Sequence, residues 1–422
     1  MKKKTIFLGA AAAGCAVGMA LPSTASAEIS DADFSSLTNA IQQLQQQETQ
    51  DQQTIQELQR QLGQTRHIAA SAAQKAQEAQ TAASSAASGR SATHNFMLVG
   101  DAEVQFGKYA GQHSGFALAD FAPIFLYRAN DNILFEAGFD TSLNSNDSTT
   151  FSMSFGQLDY VLNDYMTFVA GDMLVPLGTY NMRSAGWLTK LINAPLIDDQ
   201  ILPGAEIGAQ LRGSLPINDN GAMVTYSVFG VNGPGSNKTD PVDNVGDLDT
   251  GANVGQANQH TDPSGGGRIG WFYPWELHHD IELGLSGQSG QWGIIGNHLW
   301  SAAVLDAAAH FGPNIEVKGE YANTWFGSDD AGMVHQHGWW VEAAYKLAGL
   351  NLELPVVNDV ELVSRYDRLN DGQGTKTDRY TAGFVYYFTD TLLFEGDYEY
   401  CSSHGPAALA PNDFLLQIQY GF

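Results

Sequence analysis

From Phe96 to Phe422 apolar side chains recur at every second position, and that period of two constrains the fold more than any other feature. In FMLVGDAEVQFG, Leu98, Ala102, Val104 and Phe106 fall on one face and Asp101, Glu103 and Gln105 on the other. In NDFLLQIQYGF, Phe414, Leu416, Ile418, Tyr420 and Phe422 share a face opposite Gln417 and Gln419. A helix would scatter these sets around its axis, whereas a strand separates them. Sixteen segments read this way: 96–107, 115–128, 131–143, 150–162, 165–176, 203–216, 220–231, 266–275, 279–288, 298–312, 313–325, 336–347, 356–367, 377–388, 391–401 and 412–422. Their lengths suit tilted strands that cross a bilayer, and their number is even, as a closed single-chain barrel requires. Past the first 27 residues no apolar run approaches the roughly 20 needed for a membrane helix.

The links alternate. Those after even-numbered segments are mostly short: Ala129-Asn130, Asn163-Asp164, 217–219, a YPW turn near Tyr273, and Thr389-Asp390. Those after odd-numbered segments (177–202, 232–265, 327–335, 402–411) are longer and rich in Gly, Asn, Asp and Ser. A barrel whose rims face two compartments gives that alternation. A sandwich with Greek-key crossings does not. The link 348–355 is too long for its side, and nothing in the sequence explains it.

Ahead of the strands come two other kinds of sequence. Residues 1–27 read as an export signal, with Lys2, Lys3 and Lys4, an apolar stretch, and Ala25-Ser26-Ala27 as the cleavage site. A lipoprotein signal ending at Cys15 fits less well, because the apolar run continues past it. Residues 28–88 read as an α-helical coiled coil, and 89–95 as a hinge before a barrel at 96–422. The heptad starting at Phe34 places Phe34, Ile41, Glu48, Ile55 and Leu62 at a, and Leu37, Leu44, Asp51 and Leu58 at d. Its last heptads carry Ala in the seam. Ile at a with Leu at d favours two strands.

Composition removes other classes. With 46 acidic residues against 20 basic ones, the net charge is −26, which excludes a phosphate-neutralising nucleic-acid binder. Two cysteines exclude a disulfide scaffold, and cleavage after Ala27 would leave only Cys401. No Gly-x-Ser-x-Gly, His-Glu-x-x-His or haem-attachment motif occurs, so neither an enzyme nor a cofactor is expected. His335 and His337, near Asp329 and Asp330, supply two ligands where zinc needs three or four, so no metal is expected either. The stretch 232–265 holds Asp240, Asp243, Asp247, Asp249 and Asp262. Its spacing fits no defined calcium loop, and it reads as a hydrated exterior segment.

Taken together, these features resemble a Gram-negative outer-membrane porin. The ending Tyr420-Gly421-Phe422 resembles the signal read by the outer-membrane assembly machinery. Gly171-Asp172-Met173-Leu174-Val175-Pro176-Leu177-Gly178 is similar to a stretch of the phosphate-selective porin O/P type. The resemblance implies a sixteen-stranded antiparallel transmembrane β-barrel in the outer membrane, surrounded by lipid and lipopolysaccharide, with the coiled coil in the periplasm. It also implies a homotrimer, which conflicts with the two-stranded heptad preference and leaves dimer and trimer both open. Phosphate selectivity does not carry over, because this chain is poor in Arg and Lys.

The polar strand face, taken as lumen, holds Asp101, Glu103, Glu136, Asp140, Asp172, Glu206, Glu282, Glu316, Glu320, Glu342, Glu361, Asp367, Glu395, Asp397 and Glu399. Its basic members are Arg212, Lys318, Lys346, Arg365 and Arg379. Carboxylate rings favour cations, so a cation-preferring channel is expected. The link 177–202 is too apolar for a solvated loop, with Trp187, Leu188, Leu191, Ile192, Leu196 and Ile197. The resemblance implies that it folds into the barrel as a constriction, where Asp198 and Asp199 would face Arg183 and Lys190 across a transverse field. The alternative is a segment packed on the rim. Two rival functions stay open: an anchor or adhesin tethered to the cell wall by the coiled coil, and an outer-membrane hydrolase.

Overall fold

Sixteen antiparallel strands pair in chain order, and the last returns to the first. A computed structural model describes residues 95–111, 113–143, 148–218, 220–236, 243–250, 263–293, 298–352, 354–406 and 412–422. The export signal, the coiled coil and all of the hinge but residue 95 lie outside these residues. The barrel strands are β1 (Phe96–Tyr109), β2 (Gly115–Arg128), β3 (Ile133–Leu143), β4 (Thr149–Asn163), β5 (Met166–Leu174), β6 (Ala205–Pro216) and β7 (Met223–Val231). After a separate two-residue ladder of β8 (Gly235–Ser236) and β9 (Leu248–Asp249) come β10 (Ser264–Glu276), β11 (His279–Gln291), β12 (Leu299–Phe311), β13 (Ile315–Ser328) and β14 (Gly332–Lys346). The set ends with β15 (Val360–Asn370), β16 (Lys376–Tyr387), β17 (Leu392–His404) and β18 (Asn412–Gly421).

Closure is made by β1 on β18, from Asp101 opposite Gly421 to Tyr109 opposite Asp413. The terminal residue continues the ladder: Phe422 N–H donates to Gly100 O at 2.9 Å and Gly100 N–H to Phe422 O at 3.0 Å. With no open edge, every barrel strand has a hydrogen-bonded neighbour on both sides, which hydrocarbon surroundings demand.

The period of two appears in three dimensions as an inverted globule. Ile418 and Tyr420 are about half exposed on the outside, while Gln417 and Gln419 between them are buried inside. Aromatic belts run near both ends of the outer surface. On the loop rim Trp339, Tyr366, Tyr380 and Tyr400 follow one another at ring separations of 5.0, 4.7 and 6.3 Å. On the turn rim Trp271 stacks on Tyr273 at 5.6 Å, and Trp275 meets Phe311 at 6.2 Å. An apolar surface of this extent, bounded by aromatic girdles, is what a bilayer solvates and water does not. Among the described residues no helix is long and apolar enough to cross a membrane.

Several links differ in length from the sequence reading, three of them instructively. The turn after β10 is Leu277-His278, with His278 at φ 59°, so Tyr273 to Trp275 belong to the strand. The expected long link 327–335 shrinks to 329–331, because β13 and β14 keep pairing up to Ser328 and Gly332. The long turn before β15 contains a 3-10 turn Leu347–Leu350, left-handed Asn351 and a short helix Pro355–Asn358.

Candidate functional site

Residues 175–204, between β5 and β6, fold inside the barrel and cross it. Their neck is closed by Val175 N–H donating to Gly204 O at 3.1 Å. The loop first meets β13 through Glu320, whose Oε1 accepts from Thr179 N–H at 2.6 Å, Tyr180 N–H at 2.7 Å and the Thr179 hydroxyl at 3.0 Å. That approach needs Gly178. Its φ is +71°, and a Cβ there would collide with the Glu320 carboxylate. Tyr180 then meets Trp340 of β14 edge-on at 6.0 Å.

The loop tip touches the opposite wall. A Cβ on Gly186 would strike Gln419 of β18 and Glu103 of β1, and would lie 2.7 Å from Asp101 Oδ2. Past the tip, the loop is tied to β13, β15, β16 and β17 by charges aimed at its backbone and at one lysine. Lys190 Nζ bonds Glu316, and Glu361 at 2.6 Å. Burial opposes the Lys190 charge, but Glu316 and Glu361 outweigh burial and raise its pKa. Ile192 N–H donates to Asp397 at 2.6 Å, and Leu196 N–H to Asp367 at 3.1 Å. Arg365 donates to Asn193 O at 2.7 Å, and Arg379 to Ala194 O at 2.5 Å.

Apolar contacts complete the seat. Leu191 packs with Ala344, Val363, Val385 and Leu393. The short helix Leu196–Gln200 buries Leu196 and Ile197 among Met173, Trp300, Phe326 and Trp340. Burial pushes the Asp198 carboxyl in this helix well above the usual range. Glu320 adds to the rise, and the Trp340 indole N–H, donating at 3.1 Å, opposes it.

The lumen is thereby divided. On the side of β10 to β17, inward charges hold the loop. On the side of β1 to β7 a cavity of about 1100 Å³ remains open. Its wall carries Asp101 and Glu103 of β1, Asp120 of β2, and Glu136 and Asp140 of β3. None of these five forms an ion pair among the described residues, though Asp140 accepts from the Ser154 hydroxyl at 2.7 Å. The cations that line the same space are each paired: Arg183 with Glu282 at 2.8 Å, Arg212 with Asp159 at 2.5 Å, and Arg268 with Asp306 through two nitrogens. The five β1–β3 acidic side chains thus face the cavity without a salt bridge among the described residues.

Measured against the sequence reading, Asp101, Glu103, Glu136, Asp140 and Arg212 line this cavity. Asp172 and Glu206 are buried inside the barrel but do not line it, and Gln288 donates to Glu206 at 2.9 Å. Glu316, Glu320, Arg365 and Asp397 are engaged with the loop. Lys318 pairs with Glu342 at 3.1 Å, Arg379 approaches Glu399 at 3.7 Å, and Lys346 lies over the Tyr387 ring. Glu395 is buried beside Asp397 on β17.

The transverse field expected within the loop is not assembled. Asp198 turns to Trp340 and Lys190 to Glu316 and Glu361, and of the four loop charges only Arg183 lines the cavity. The cause is anchoring: the apolar residues that draw the loop into the barrel carry Lys190 and Asp198 against the wall with them.

Two charged strand residues of the lining, Asp120 and Arg268, lie outside the sequence reading. Gln105 pairs with Leu118 while the next residue, Phe106, pairs with Phe116, so residue 117 is a bulge on β2. The bulge reverses the alternation between Phe116 and Asp120, and strict period two therefore misplaces Asp120. Arg268 was within reach, since it alternates with outward Ile269 and Trp271.

No family model matches the sequence, and no curated protein matches it. Solved structures match the barrel. The chain is similar to OmpF of Salmonella typhi in complex with daunomycin, at 12% identity and a TM-score of 0.52, over 78% of this chain and 97% of that one. An anion-selective porin from Comamonas acidovorans gives 13% identity and a TM-score of 0.51, over 78% and 99%. OmpT in its trimer form, an outer membrane protein of Vibrio cholerae, gives 11% and 0.50, over 78% and 99%. At these identities the likeness establishes the fold: a closed, sixteen-stranded antiparallel barrel.

Proposed function

We propose that the chain is an outer-membrane porin that passes small solutes by diffusion between its constriction loop and the β1–β7 wall, with a preference for cations. The observation that carries this reading is the row of β1–β3 carboxylates, which face an open cavity and form no ion pair among the described residues, the nearby Arg212 being paired with Asp159. In a narrow water-filled passage with low-dielectric walls, such a row concentrates cations and repels anions. The structural likeness extends to a porin described as anion-selective, so this fold leaves charge preference to its lining side chains.

In this reading the barrel does no chemistry, its apolar belt sits in lipid and lipopolysaccharide, and Tyr420 and Phe422 serve its assembly. The coiled coil stands in the periplasm, where it is free to touch the cell wall. Self-association, with a trimer as the expected state, is supported by the outer face of β1 to β4. There Phe96, Phe125, Phe139 and Phe151 form a continuous series at 5.9, 5.7 and 5.3 Å.

Planar-bilayer recording in a salt gradient tests the reading. The expected result is stepwise conductance with a reversal potential of cation-selective sign. An anion-selective sign would refute the carboxylate argument, and a folded barrel that passes no current would favour the anchor.

A further inference from the structure

At the loop rim three distant parts of the chain bring metal-binding side chains together. Asp243 comes from the link between β7 and β10, His298 from the residue before β12, and Asp329 from the turn between β13 and β14. One ligand atom from each lies within 4.8 Å of the other two. His298 Nε2 stands 3.1 Å from Asp329 Oδ1. Zinc bonds of about 2.0–2.1 Å in a tetrahedron place neighbouring ligand atoms about 3.3 Å apart, so this edge is already close to the right length.

Two further observations show that the backbone makes room for these side chains. A Cβ on Gly293 would collide with Asp243 Oδ2, and one on Gly327 would lie 2.8 Å from His298 Nδ1. Both ligands thus fill space that a side chain at either glycine would take. The imidazole is also held from behind. Trp292 stacks on it at 6.4 Å with 28° between planes, and the Trp292 indole N–H is fixed to Gly327 O at 2.9 Å. Outer contacts of this kind orient the ligands of protein metal sites. The two aspartates are tied to each other as well: Asp329 N–H donates to Asp243 O at 2.8 Å, and Asp243 N–H to Asp329 Oδ2 at 2.9 Å.

We propose that Asp243, His298 and Asp329 bind one divalent cation of the zinc class and so tie the backbone around Asp243 to the start of β12 and to the β13–β14 turn. One neutral imidazole and two carboxylates offset the 2+ charge and leave a fourth position for water. The imidazole argues against Ca2+ and Mg2+, which take oxygen ligands. Binding requires a bare Nε2, so any proton shared there with Asp329 is released to solvent. His335 and His337 take no part. They lie on the strand face that carries Trp325 and Trp339, with His335 stacked on Trp325 at 5.2 Å. The proposal stands independently of the porin reading.

The test is calorimetric titration of the full chain, folded in detergent, with ZnCl2 and separately with CaCl2. The expected result is one Zn2+ per chain, affinity at least about tenfold weaker in Asp243→Asn and in His298→Gln, and no change in His335→Ala. Zn2+ should also raise the unfolding temperature of the wild type and leave that of His298→Gln unmoved. Equal zinc affinity in wild type and His298→Gln, with native circular dichroism in both, would overturn the site. So would calcium binding as tightly as zinc.

Discussion

Trp340 on β14 donates its indole N–H to the Asp198 carboxylate at 3.1 Å, joining the barrel wall to the far limb of the constriction loop. The bond holds a group that burial would rather keep neutral. Burial, then Glu320, raise the Asp198 pKa above its unfolded value. A raised carboxyl favours the protonated folded state, so its contribution is present below the unfolded value and is lost as pH rises through the folded one. Asp198→Asn keeps an acceptor for Trp340 and removes the titration. We expect it to be more stable than wild type at pH 8, with the difference gone near pH 3. Chemical unfolding of both proteins in detergent measures this, and a gap independent of pH would count against it.

Glu320 gathers three donors from the start of the loop. Hydrogen bonds to charged groups contribute roughly 1.5–3 kcal/mol each and do not simply add. Glu320→Ala should loosen the first limb, raise single-channel conductance and make 175–204 more sensitive to protease. Unchanged conductance together with unchanged proteolysis would show that the remaining anchors suffice.

The β1–β3 carboxylates form no ion pair among the described residues, so neutralising them should leave folding intact. The triple change Asp101→Asn, Asp120→Asn and Asp140→Asn should move the reversal potential towards zero at nearly constant conductance. A triple variant as cation-selective as wild type would place the selecting charge elsewhere.

Gly186 brings the loop tip against Asp101, Glu103 and Gln419. Gly186→Ala should force the tip away from that wall, at a stability cost of about 1–3 kcal/mol, and raise the conductance. Gly246→Ala is the control, since a Cβ there meets open space. The two variants should differ in both melting temperature and current, and equal behaviour would argue against a tight tip contact.

The barrel was legible because one face of each strand meets an apolar medium and the other does not. That alternation placed Gln417 and Gln419 inside and Ile418 and Tyr420 outside without any tertiary information. The apolar run Trp187 to Ile197 likewise signalled a loop that buries itself. Sequence could not show which wall the loop would choose. That choice depends on contacts such as Ile192 with Asp397, some 205 positions apart along the chain. Asp120 was hidden by a one-residue bulge, and the pairing of His298 with Asp329 by their separation of 31 positions. Strand ends were displaced where pairing continued beyond the apolar stretch, as at Ser328 and Gly332.

The split of the lumen has an evolutionary corollary. Arg365, Asp367 and Asp397 cannot change sign without unseating the constriction loop, so that half of the interior is frozen by architecture. Substitutions at Asp101, Asp120 or Asp140 meet no such penalty. Descendants of this barrel can therefore change the charge of three adjacent strands while the remainder of the scaffold stays as it is.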